Sequence, residues 1–459
     1  MPEDKGAPPL NLVLITIDSL RYDHLSFAGY RRETSPNIDS LAAEGTNHTS
    51  AFSHGGGTEE AFPTMLTGIP PPVNIDQCER GIRRGATIAE ILRRKGYSTA
   101  AFNSNPYLSA YFGYDEGFTL FCHDLEVNSR RAGVLSGSGL RTQSKVLLSL
   151  KPPITRGGPL TEQFLTWAAA TSRPFFGWIH YMDVHMPYLP PRRSAGEIEI
   201  ELLNRLSTMR MYRKMGISNR RVRNSMRSDE SILSSSDIRK ITDFYDAAIR
   251  YVDECVGQLM QGLKEQGQLE NTLIILTADH GEMLGEKGAV DHGYLYDPVL
   301  HVPLIIAGGE PRNAVVEQPV THTKVFETMA VAAGIDYGLQ RTKWKSFADP
   351  NPGIVSSVIY DSSKSYVSCR TTKWKYIQTT DLNSKFQGFE LYDLASDPHE
   401  TDNVANSQQV ELDSLRSQVY DFILQQKQAE SSHVAPASPP LSEEDERVLQ
   451  ERLRDLGYC

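Results

Sequence analysis

Short apolar runs of strand length recur along the chain. Residues 11–17 (NLVLITI), 175–181 (FFGWIHY) and 272–278 (TLIILTA) are nearly continuous apolar segments, which is typical of strands buried on both faces. Residues 87–95 show an amphipathic helical pattern instead, and residues 97–102 return to a strand pattern. This alternation predicts an α/β fold in which helices cover both faces of a mainly parallel mixed sheet, an α/β/α sandwich.

Two further helices and four short strands are predicted in the second half of the chain. Residues 236–264 predict a long amphipathic helix whose apolar side chains recur at helical spacing and belong to the core. Beyond residue 334 the apolar segments become shorter, and they predict a small antiparallel sheet followed by a helix over about residues 407–428. The four predicted strands of this sheet are residues 354–360, 365–370, 374–378 and 389–394.

These elements predict one large α/β domain with a small appendage. The large domain covers residues 10–335 and contains variable inserts at about residues 124–159 and 192–235, which show no clear period. A small C-terminal subdomain covers residues 336–430, and a linker with a terminal helix covers residues 431–459. A chain of 459 residues is long enough for this arrangement.

Composition and charge exclude several classes of function. The formal net charge of −10 gives no reason to expect a nucleic-acid partner, and no apolar run is long enough to span a membrane. The N-terminus, MPEDKGAPPL, lacks the basic region and apolar core of a signal peptide, so we expect a cytoplasmic location. Five dispersed cysteines without CxxC spacing predict reduced thiols rather than a disulfide frame or a zinc site.

The most basic stretch of the chain extends from Arg205 to Arg227 and contains no acidic residue. It either forms a mobile lid that attracts an anionic substrate or is a solvated surface segment. The sequence leaves both interpretations open.

Acidic and imidazole side chains directly follow two of the apolar strands. Asp18 comes after residues 11–17, and Asp279 and His280 come after residues 272–278. Because the carboxyl ends of parallel strands meet at one edge of a sheet, these side chains can converge on one divalent cation. The alternative is a capped strand end with a solvated charge cluster, which a two-residue DH motif does not exclude.

A glycine-rich loop ends in Thr58, within HGGGTEEAFPTML. The glycines let the backbone approach a ligand closely, and the residues from about Glu59 to Leu66 predict the first turns of a helix. A hydroxyl at the start of a helix meets unpaired backbone donors and the positive end of the helix dipole, which suits a tetrahedral anion. Thr58 is alternatively an ordinary helix cap that accepts a hydrogen bond from the amide of Ala61.

Six longer segments of the chain, taken in their order, can be compared with known families. They begin with NLVLITIDSLRYDHLSFAGY and continue with GATIAEILRRKGYSTAAF, PFFGWIHYMDVHMPYLPP, LIILTADHGEMLGEKG, YDPVLHVPLIIAG and ELYDLASDPHETDNVA. In this order they resemble the sulfatase branch of the alkaline phosphatase superfamily. The resemblance implies a metal-dependent hydrolase that acts on a small-molecule anionic ester.

The resemblance implies that the strand-end residues and the hydroxyl share one ion. Asp18, Asp279, His280 and Thr58 would be its ligands, and Thr58 would be the nucleophile. For two acids, an imidazole and a hydroxyl, Mn²⁺, Zn²⁺, Mg²⁺ and Ca²⁺ are all admissible.

Two further histidines acquire roles from the same resemblance. His185 stands on a family position that contacts the substrate anion, although it is alternatively a histidine that stabilises its own turn. His292 stands where sulfatases usually carry a lysine that holds substrate oxygens. Both would bind equatorial oxygens or protonate the leaving oxygen. A variant has a second metal bound by Asp183, His185 and His292, as in some phosphodiesterase relatives.

The chain departs from sulfatases proper at several positions. Thr58 replaces the cysteine or serine that those enzymes convert to formylglycine, and threonine cannot form that aldehyde. Phe62 replaces a supporting arginine, Ser104 and Pro106 replace a lysine and a histidine, and Ser19 replaces the second acid of a DD pair. Each change removes positive charge or a ligand. Threonine at this position resembles nucleotide pyrophosphatases/phosphodiesterases and phosphoethanolamine transferases instead. We therefore predict no formylglycine and a phosphodiester preferred over a sulfate monoester.

Other functions stay open on the sequence alone. The chain is alternatively a sulfuric ester hydrolase proper, a phosphoryl-group transferase, or a non-catalytic anion-binding relative. Loss of the arginine and lysine favours the non-catalytic alternative, while the survival of all six candidate side chains opposes it. The sequence predicts neither the natural substrate nor the oligomeric state.

Overall fold

A computed structural model describes residues 9–70, 81–82, 85–123, 154–171, 174–191, 233–309, 313–335, 354–360, 364–381 and 385–430. Its central feature is a nine-stranded sheet. The strands up to residue 321 are β1 (Asn11–Ile17), β2 (Thr46–Phe52), β3 (Ser98–Asn103), β4 (Leu120–His123), β5 (Phe175–Tyr181), β6 (Thr272–Ala278), β7 (Met283–Leu284), β8 (Val290–Asp291), β9 (His301–Ala307), β10 (Ala314–Val316) and β11 (Val320–Thr321). Of these, β7 and β8 pair with each other outside the large sheet.

The large sheet is mixed and mostly parallel. Neighbouring strands follow the order β10-β2-β9-β6-β1-β5-β3-β4, and β11 also pairs with β2. Strand β1 runs parallel to both β5 and β6, whereas β9 runs antiparallel to both β2 and β6. The predicted α/β class with a mainly parallel mixed sheet is therefore confirmed.

The helices form two packed groups. In chain order they are α1 (Pro36–Glu44), α2 (Thr58–Thr67), α3 (Ile88–Arg94), α4 (Gly157–Ala170), α5 (Ser235–Glu265), α6 (Asp297–Leu300), α7 (Thr323–Ala332) and α8 (Gln409–Glu430). Helix α5 packs on α1 and α4, while α2 packs on α3 and α7, and α3 and α4 both contact β3. Two helical layers around one sheet explain why β1, β5 and β6 are buried along their whole lengths.

The strand register determines which residues share the carboxyl edge of the sheet. Ile17 at the end of β1 pairs with Tyr181 of β5 and with Ala278 of β6. The three strands therefore end side by side at the same edge of the sheet. Asp18 and Asp279, the next residues of β1 and β6, must lie side by side at that edge.

A second, four-stranded antiparallel sheet follows in the C-terminal part. Its strands are β12 (Ile354–Tyr360), β13 (Lys364–Arg370), β14 (Trp374–Asp381) and β15 (Phe386–Asp393), paired in chain order. Helix α8 packs on β13 and β14, where Val367, Tyr376 and Leu415 are buried in a separate core. The predicted small antiparallel sheet with a helix is confirmed, although β15 begins before the predicted residue 389 because Phe386 still pairs with Thr380.

Buried ion pairs attach the second sheet to the large domain. Lys375 of β14 is fully buried, and its Nζ lies 2.7 Å from Asp297 Oδ1 and 3.1 Å from Glu400 Oε1. Arg370 Nη2 lies 3.0 Å from Asp297 Oδ2. Because Asp297 begins α6, these pairs fix the segment that follows His292.

Several predictions fall outside the described residues. They are the domain boundary at residues 335 and 336, the basic stretch 205–227, most of both inserts, and the linker with its terminal helix over residues 431–459. The end of the first predicted insert differs, because α4 already begins at Gly157. Within the described segments, none of the helices combines the length and apolar content that a membrane crossing needs.

Candidate active site

The predicted metal ligands and the predicted nucleophile meet at the carboxyl edge of the sheet. Ligand atoms of Asp18, Asp279 and His280 lie within 4.8 Å of one another, and all three residues are buried. Thr58 joins them from the start of α2, where its Oγ1 donates to Asp279 Oδ2 at 3.1 Å. Side chains from three distant parts of the sequence therefore form one cluster.

Thr58 is not the cap of its helix. It is the first residue of α2, and Gly57 takes the N-cap position. The amide of Ala61 donates to the carbonyl of Gly57 at 3.1 Å, which is an ordinary helical hydrogen bond. The helix-cap interpretation is therefore wrong, and the Thr58 hydroxyl is directed to a carboxylate instead.

The glycines before Thr58 allow two loops to touch. A Cβ added to Gly56 would lie 2.5 Å from the carbonyl oxygen of Tyr294, and the carbonyl of Gly56 accepts a hydrogen bond from Gly293 N at 2.7 Å. A Cβ on Gly57 would lie 3.9 Å from His292 Cδ2. Close backbone contact thus places the His292 ring beside the loop of Thr58.

Three neighbouring side chains fix the carboxylate of Asp18. Ser19 Oγ donates to Oδ1 at 2.9 Å, Asn105 Nδ2 donates to Oδ2 at 3.0 Å, and His180 Nε2 lies 3.3 Å from Oδ2. The backbone of Ser19, at φ 59°, also donates to Asp279 Oδ1 at 3.1 Å. Ser19, which replaces the expected second acid, therefore connects the two aspartates.

The two aspartates have opposite pKa shifts. Burial alone would raise the pKa of Asp18, but the adjacent imidazoles of His185 and His180 outweigh it and hold that pKa well below its usual range. Burial, together with the charge of Asp18, raises the pKa of Asp279. Two carboxylates buried in one cluster repel each other, and a bound cation relieves that repulsion.

The tautomer of His280 suits a metal ligand. Its Nδ1 lies 2.9 Å from the carbonyl oxygen of Gly281, so Nδ1 carries the proton and donates it. The lone pair is then on Nε2, which lies 3.5 Å from Asp279 Oδ2 and has no hydrogen-bond partner among the described residues. A histidine oriented through one nitrogen, with the other turned toward carboxylates, fits a divalent ion.

His185 and His292 lie next to this cluster. The centroid of the His292 ring is 4.5 Å from that of His280 and 5.3 Å from that of His185. His185 Nδ1 lies 2.5 Å from the carbonyl oxygen of Met186. Burial would lower the pKa of His292, but the carboxylates of Asp291 and Glu282 outweigh it and raise that pKa well above its usual value.

The structure does not assemble the second-metal set that includes Asp183. The Oδ2 atom of Asp183 accepts a hydrogen bond from Gly157 N at 2.8 Å, at the start of α4. Burial raises the pKa of Asp183 to about 6, against the charge of Arg156 and this hydrogen bond. Within the described residues, Asp183, His185 and His292 form no cluster of ligand atoms.

Sequence reasoning missed His180 and Asn105. Each binds Asp18, and neither follows one of the acidic strand ends. A signal existed for His180, because an imidazole interrupts the apolar strand FFGWIHY and must find a partner in the core. Asn105 gave a weaker signal as an amide just beyond the end of β3.

A short chain of hydrogen bonds sets the tautomer of His180. Trp178 Nε1, which can only donate, lies 2.9 Å from Thr16 Oγ1. Thr16 Oγ1 lies 2.9 Å from His180 Nδ1 and 3.4 Å from the carbonyl oxygen of Ile179, and the shorter contact directs the hydroxyl proton to the histidine nitrogen. His180 then carries its proton on Nε2 and donates it to Asp18.

Replacing His180 with phenylalanine is expected to weaken divalent-metal binding by about 10- to 100-fold, because Asp18 loses a donor that orients it. Phenylalanine has nearly the same side-chain volume as the histidine that it replaces. His180→Gln retains an amide donor and should lie closer to the wild type. The Kd for Mn²⁺, measured by calorimetry, checks this. Equal affinities for the wild type and His180→Phe would show that the hydrogen bond does not position Asp18.

Comparison with known protein families agrees with this geometry. The family model described as Sulfatase matches residues 10–335, which is most of the chain. The chain belongs to the sulfatase family. The resemblance in the sequence is thereby confirmed, and with it membership in a family of ester hydrolases whose enzymes bind a divalent metal ion.

Individual relatives of this sulfatase-family chain extend over most of its length. Arylsulfatase K of Bos taurus is 23% identical over 444 residues, which cover 86% of this chain and 78% of the relative. The crystal structure of phosphonate monoester hydrolase of Agrobacterium radiobacter has a TM-score of 0.65 at 21% identity, covering 95% of this chain and 98% of that chain. Phosphonate monoester hydrolase from Silicibacter pomeroyi gives 0.66 at 19% identity, covering 91% and 96%. The two structures show a shared fold.

Phe62 gives this member of the sulfatase family an apolar environment behind Thr58. Phe62, which the sequence resemblance sets against a supporting arginine of sulfatases, is fully buried. Its ring centroid lies 5.1 Å from that of His180, 5.4 Å from that of Trp178 and 6.3 Å from that of Tyr114. Phe62 therefore belongs to an aromatic cluster that borders His180.

Proposed function

We propose that this sulfatase-family protein is a divalent-metal-dependent hydrolase of phosphate or sulfate esters. In this proposal Thr58 is the nucleophile, and a phosphodiester is preferred over a sulfate monoester. The observation that carries the proposal is the position of the Thr58 hydroxyl, 3.1 Å from Asp279 Oδ2 and beside the Asp18, Asp279 and His280 cluster.

Asp18, Asp279 and His280 would hold the ion, and Thr58 would complete its ligand set. When bound, the ion would lower the pKa of the Thr58 hydroxyl and neutralise charge on the incoming anion. Ser19, Asn105 and His180 keep Asp18 in place for this role. The donors are oxygens and one imidazole, which admit Mn²⁺, Zn²⁺, Mg²⁺ and Ca²⁺.

The reaction on a phosphodiester consists of two displacements. In the first, Thr58 Oγ1 bonds to phosphorus, the bond to the leaving oxygen breaks, and that oxygen takes a proton from His185 or His292. Asp279 Oδ2 is the acceptor for the proton that Thr58 loses. In the second, water attacks phosphorus and gives one proton to the same histidine, the bond to Thr58 breaks, and the hydroxyl regains its proton from Asp279. The products are an alcohol and a phosphomonoester.

The same proposal excludes formylglycine as the catalytic group. That aldehyde forms from cysteine or serine, whose β-carbon carries two hydrogens. Thr58 has a methyl group on its β-carbon, so oxidation there cannot give an aldehyde. The unmodified threonine hydroxyl is therefore the proposed nucleophile.

The surroundings of Thr58 favour a substrate that needs few positive groups. Glu59 and Glu60 follow it in the first turn of α2, and Phe62 replaces an arginine. A phosphodiester presents two terminal oxygens and one charge, whereas a sulfate monoester presents three terminal oxygens. A phosphonate monoester, the class in the names of the two structural neighbours above, shares the two oxygens and single charge of a phosphodiester.

Kinetics with paired chromogenic esters test the preference. We expect kcat/KM for bis-p-nitrophenyl phosphate to exceed that for p-nitrophenyl sulfate by about tenfold or more, which is about 1.4 kcal/mol of transition-state stabilisation. p-Nitrophenyl phosphate is the matched control, because it has the same leaving group with a second negative charge, and it should also be slower. Faster turnover of the sulfate would overturn the preference.

Hydrolysis of sulfuric esters is the second candidate. It is favoured by the family match and by the similarity to Arylsulfatase K. In this candidate function Thr58 attacks sulfur in place of phosphorus. The rate of p-nitrophenyl sulfate hydrolysis in the same experiment measures this activity.

A further inference from the structure

A second cluster of ligand-type side chains lies beside the site and uses different residues. Glu282, Asp291 and His292 contribute two carboxylates and an imidazole, with one ligand atom of each within 4.8 Å of the others. The hairpin of β7 and β8 brings them together, because Met283 pairs with Asp291. The residue before β7, the last residue of β8 and the residue after β8 therefore meet.

Glu282 is a buried carboxylate whose side chain receives no hydrogen bond from the described residues. Its exposure is 0%, and neither Oε1 nor Oε2 has a hydrogen-bond partner within the described segments. The guanidinium of Arg21 binds the backbone carbonyl of Glu282 at 3.0 Å and pairs with Asp23 and Glu286 instead. A charged group buried in this way is costly unless a cation neutralises it.

The separations of the ligand atoms suit a single ion. His292 Nδ1 lies 3.0 Å from Asp291 Oδ1 and 3.7 Å from Glu282 Oε1. With bonds of about 2.0 to 2.2 Å to a metal, neighbouring ligand atoms are about 2.8 to 3.6 Å apart. Small side-chain adjustments would therefore close these three ligands around an ion.

We propose that Glu282, Asp291 and His292 form a second divalent-cation site, in which His292 binds through Nδ1. Two carboxylates and an imidazole suit Mn²⁺ or Zn²⁺. Among the described residues the ion pair of Glu282 is with His292, and the metal ion takes the place of the proton on His292 Nδ1. Because none of these ligands belongs to the Asp18 cluster, each site can be emptied separately.

The second ion would also fix the tautomer of His292. An ion on Nδ1 leaves the ring proton on Nε2, which then donates a hydrogen bond, and the proton for the leaving oxygen comes from His185. The ring edge at Cδ2 faces the loop of Thr58, because a Cβ added to Gly57 would lie 3.9 Å from it. This consequence rests on the proposed function of Thr58, whereas the site itself does not.

Metal stoichiometry of the full-length protein tests the proposal. Metal-free protein is dialysed against Mn²⁺ at neutral pH, and the bound metal is measured by mass spectrometry. We expect two ions per chain in the wild type and one in Glu282→Gln. Asp291→Asn should also bind one, and it is a suitable second variant because asparagine tolerates the positive φ of 84° at this position. Glu286→Gln, in the same loop, should keep both ions.

The outcomes separate this proposal from the first site. Asp18→Asn should lose the ion of the first site and keep the other. If the wild type bound one ion and only Asp18→Asn lost it, the second site would be overturned and the proposed function would stand. If the wild type bound one ion and only Glu282→Gln lost it, the second site would stand and the metal site of the proposed function would be overturned.

Discussion

Thr58→Ala is expected to lower kcat for bis-p-nitrophenyl phosphate by about 10⁴-fold or more, because it removes the atom that forms the covalent ester. Metal binding should weaken much less, since Asp18, Asp279 and His280 stay in place. The variant is assayed with saturating metal, and its metal content is measured alongside. Thr58→Ser keeps the hydroxyl and should retain a measurable part of the activity.

The chain offers a matched control for this substitution in the same helix. Thr64 is also a buried threonine of α2, and its Oγ1 has no hydrogen-bond partner among the described residues. Thr64→Ala therefore removes an equivalent hydroxyl without touching the cluster and should leave kcat nearly unchanged. Activity that survives in Thr58→Ala at the wild-type level would come from another site or a contaminant, and the nucleophile would have to be sought elsewhere.

Asp279→Asn is expected to lower kcat/KM by about 10³-fold or more and to raise the Kd for Mn²⁺ by at least about 100-fold. Asp279 Oδ2 accepts the Thr58 hydroxyl at 3.1 Å, and its Oδ1 accepts the amides of Ser19 at 3.1 Å and His280 at 2.8 Å. An asparagine has one acceptor oxygen and no charge, so it cannot serve both the ion and these donors. Added metal should restore only part of the activity.

Asp253→Asn is the control for loss of a buried carboxylate. Asp253 is fully buried, but it accepts the amides of Asn37 and Ile38 at the start of α1, away from the cluster. Its substitution can lower the thermal stability, whereas metal affinity and kcat should stay near the wild-type values. If Asp279→Asn bound Mn²⁺ as tightly as this control, the metal role of Asp279 would be refuted.

The buried strands could be predicted because their composition reports their environment. Strands β1 and β5 have the bounds that the apolar runs indicate, and β6 begins at the predicted residue. A segment that must be buried on both faces cannot carry charge, so it ends where polar residues begin. That local rule also locates Asp18 and Asp279 at one edge of a parallel sheet.

Strand β2 escaped prediction for the opposite reason. Its sequence, TNHTSAF, is polar and only partly buried, and it shows no clear alternation. Pairing with β9, in which Thr46 lies opposite Ile306, makes it a strand. Such pairing depends on a neighbour more than 250 positions away in sequence, and no local pattern reports it.

The sequence by itself determined the family, the α/β class, the C-terminal sheet and the strand ends that carry the acids, since apolar periodicity and motif order are local properties. Only the tertiary structure decided what the polar groups do. It directed the hydroxyl of Thr58 to Asp279 instead of to its own helix, brought His180 and Asn105 to Asp18, and left Glu282 buried beside His292. The reason is that a hydrogen bond or an ion needs a few atoms within about 3 Å, and loop closure between distant segments sets those distances.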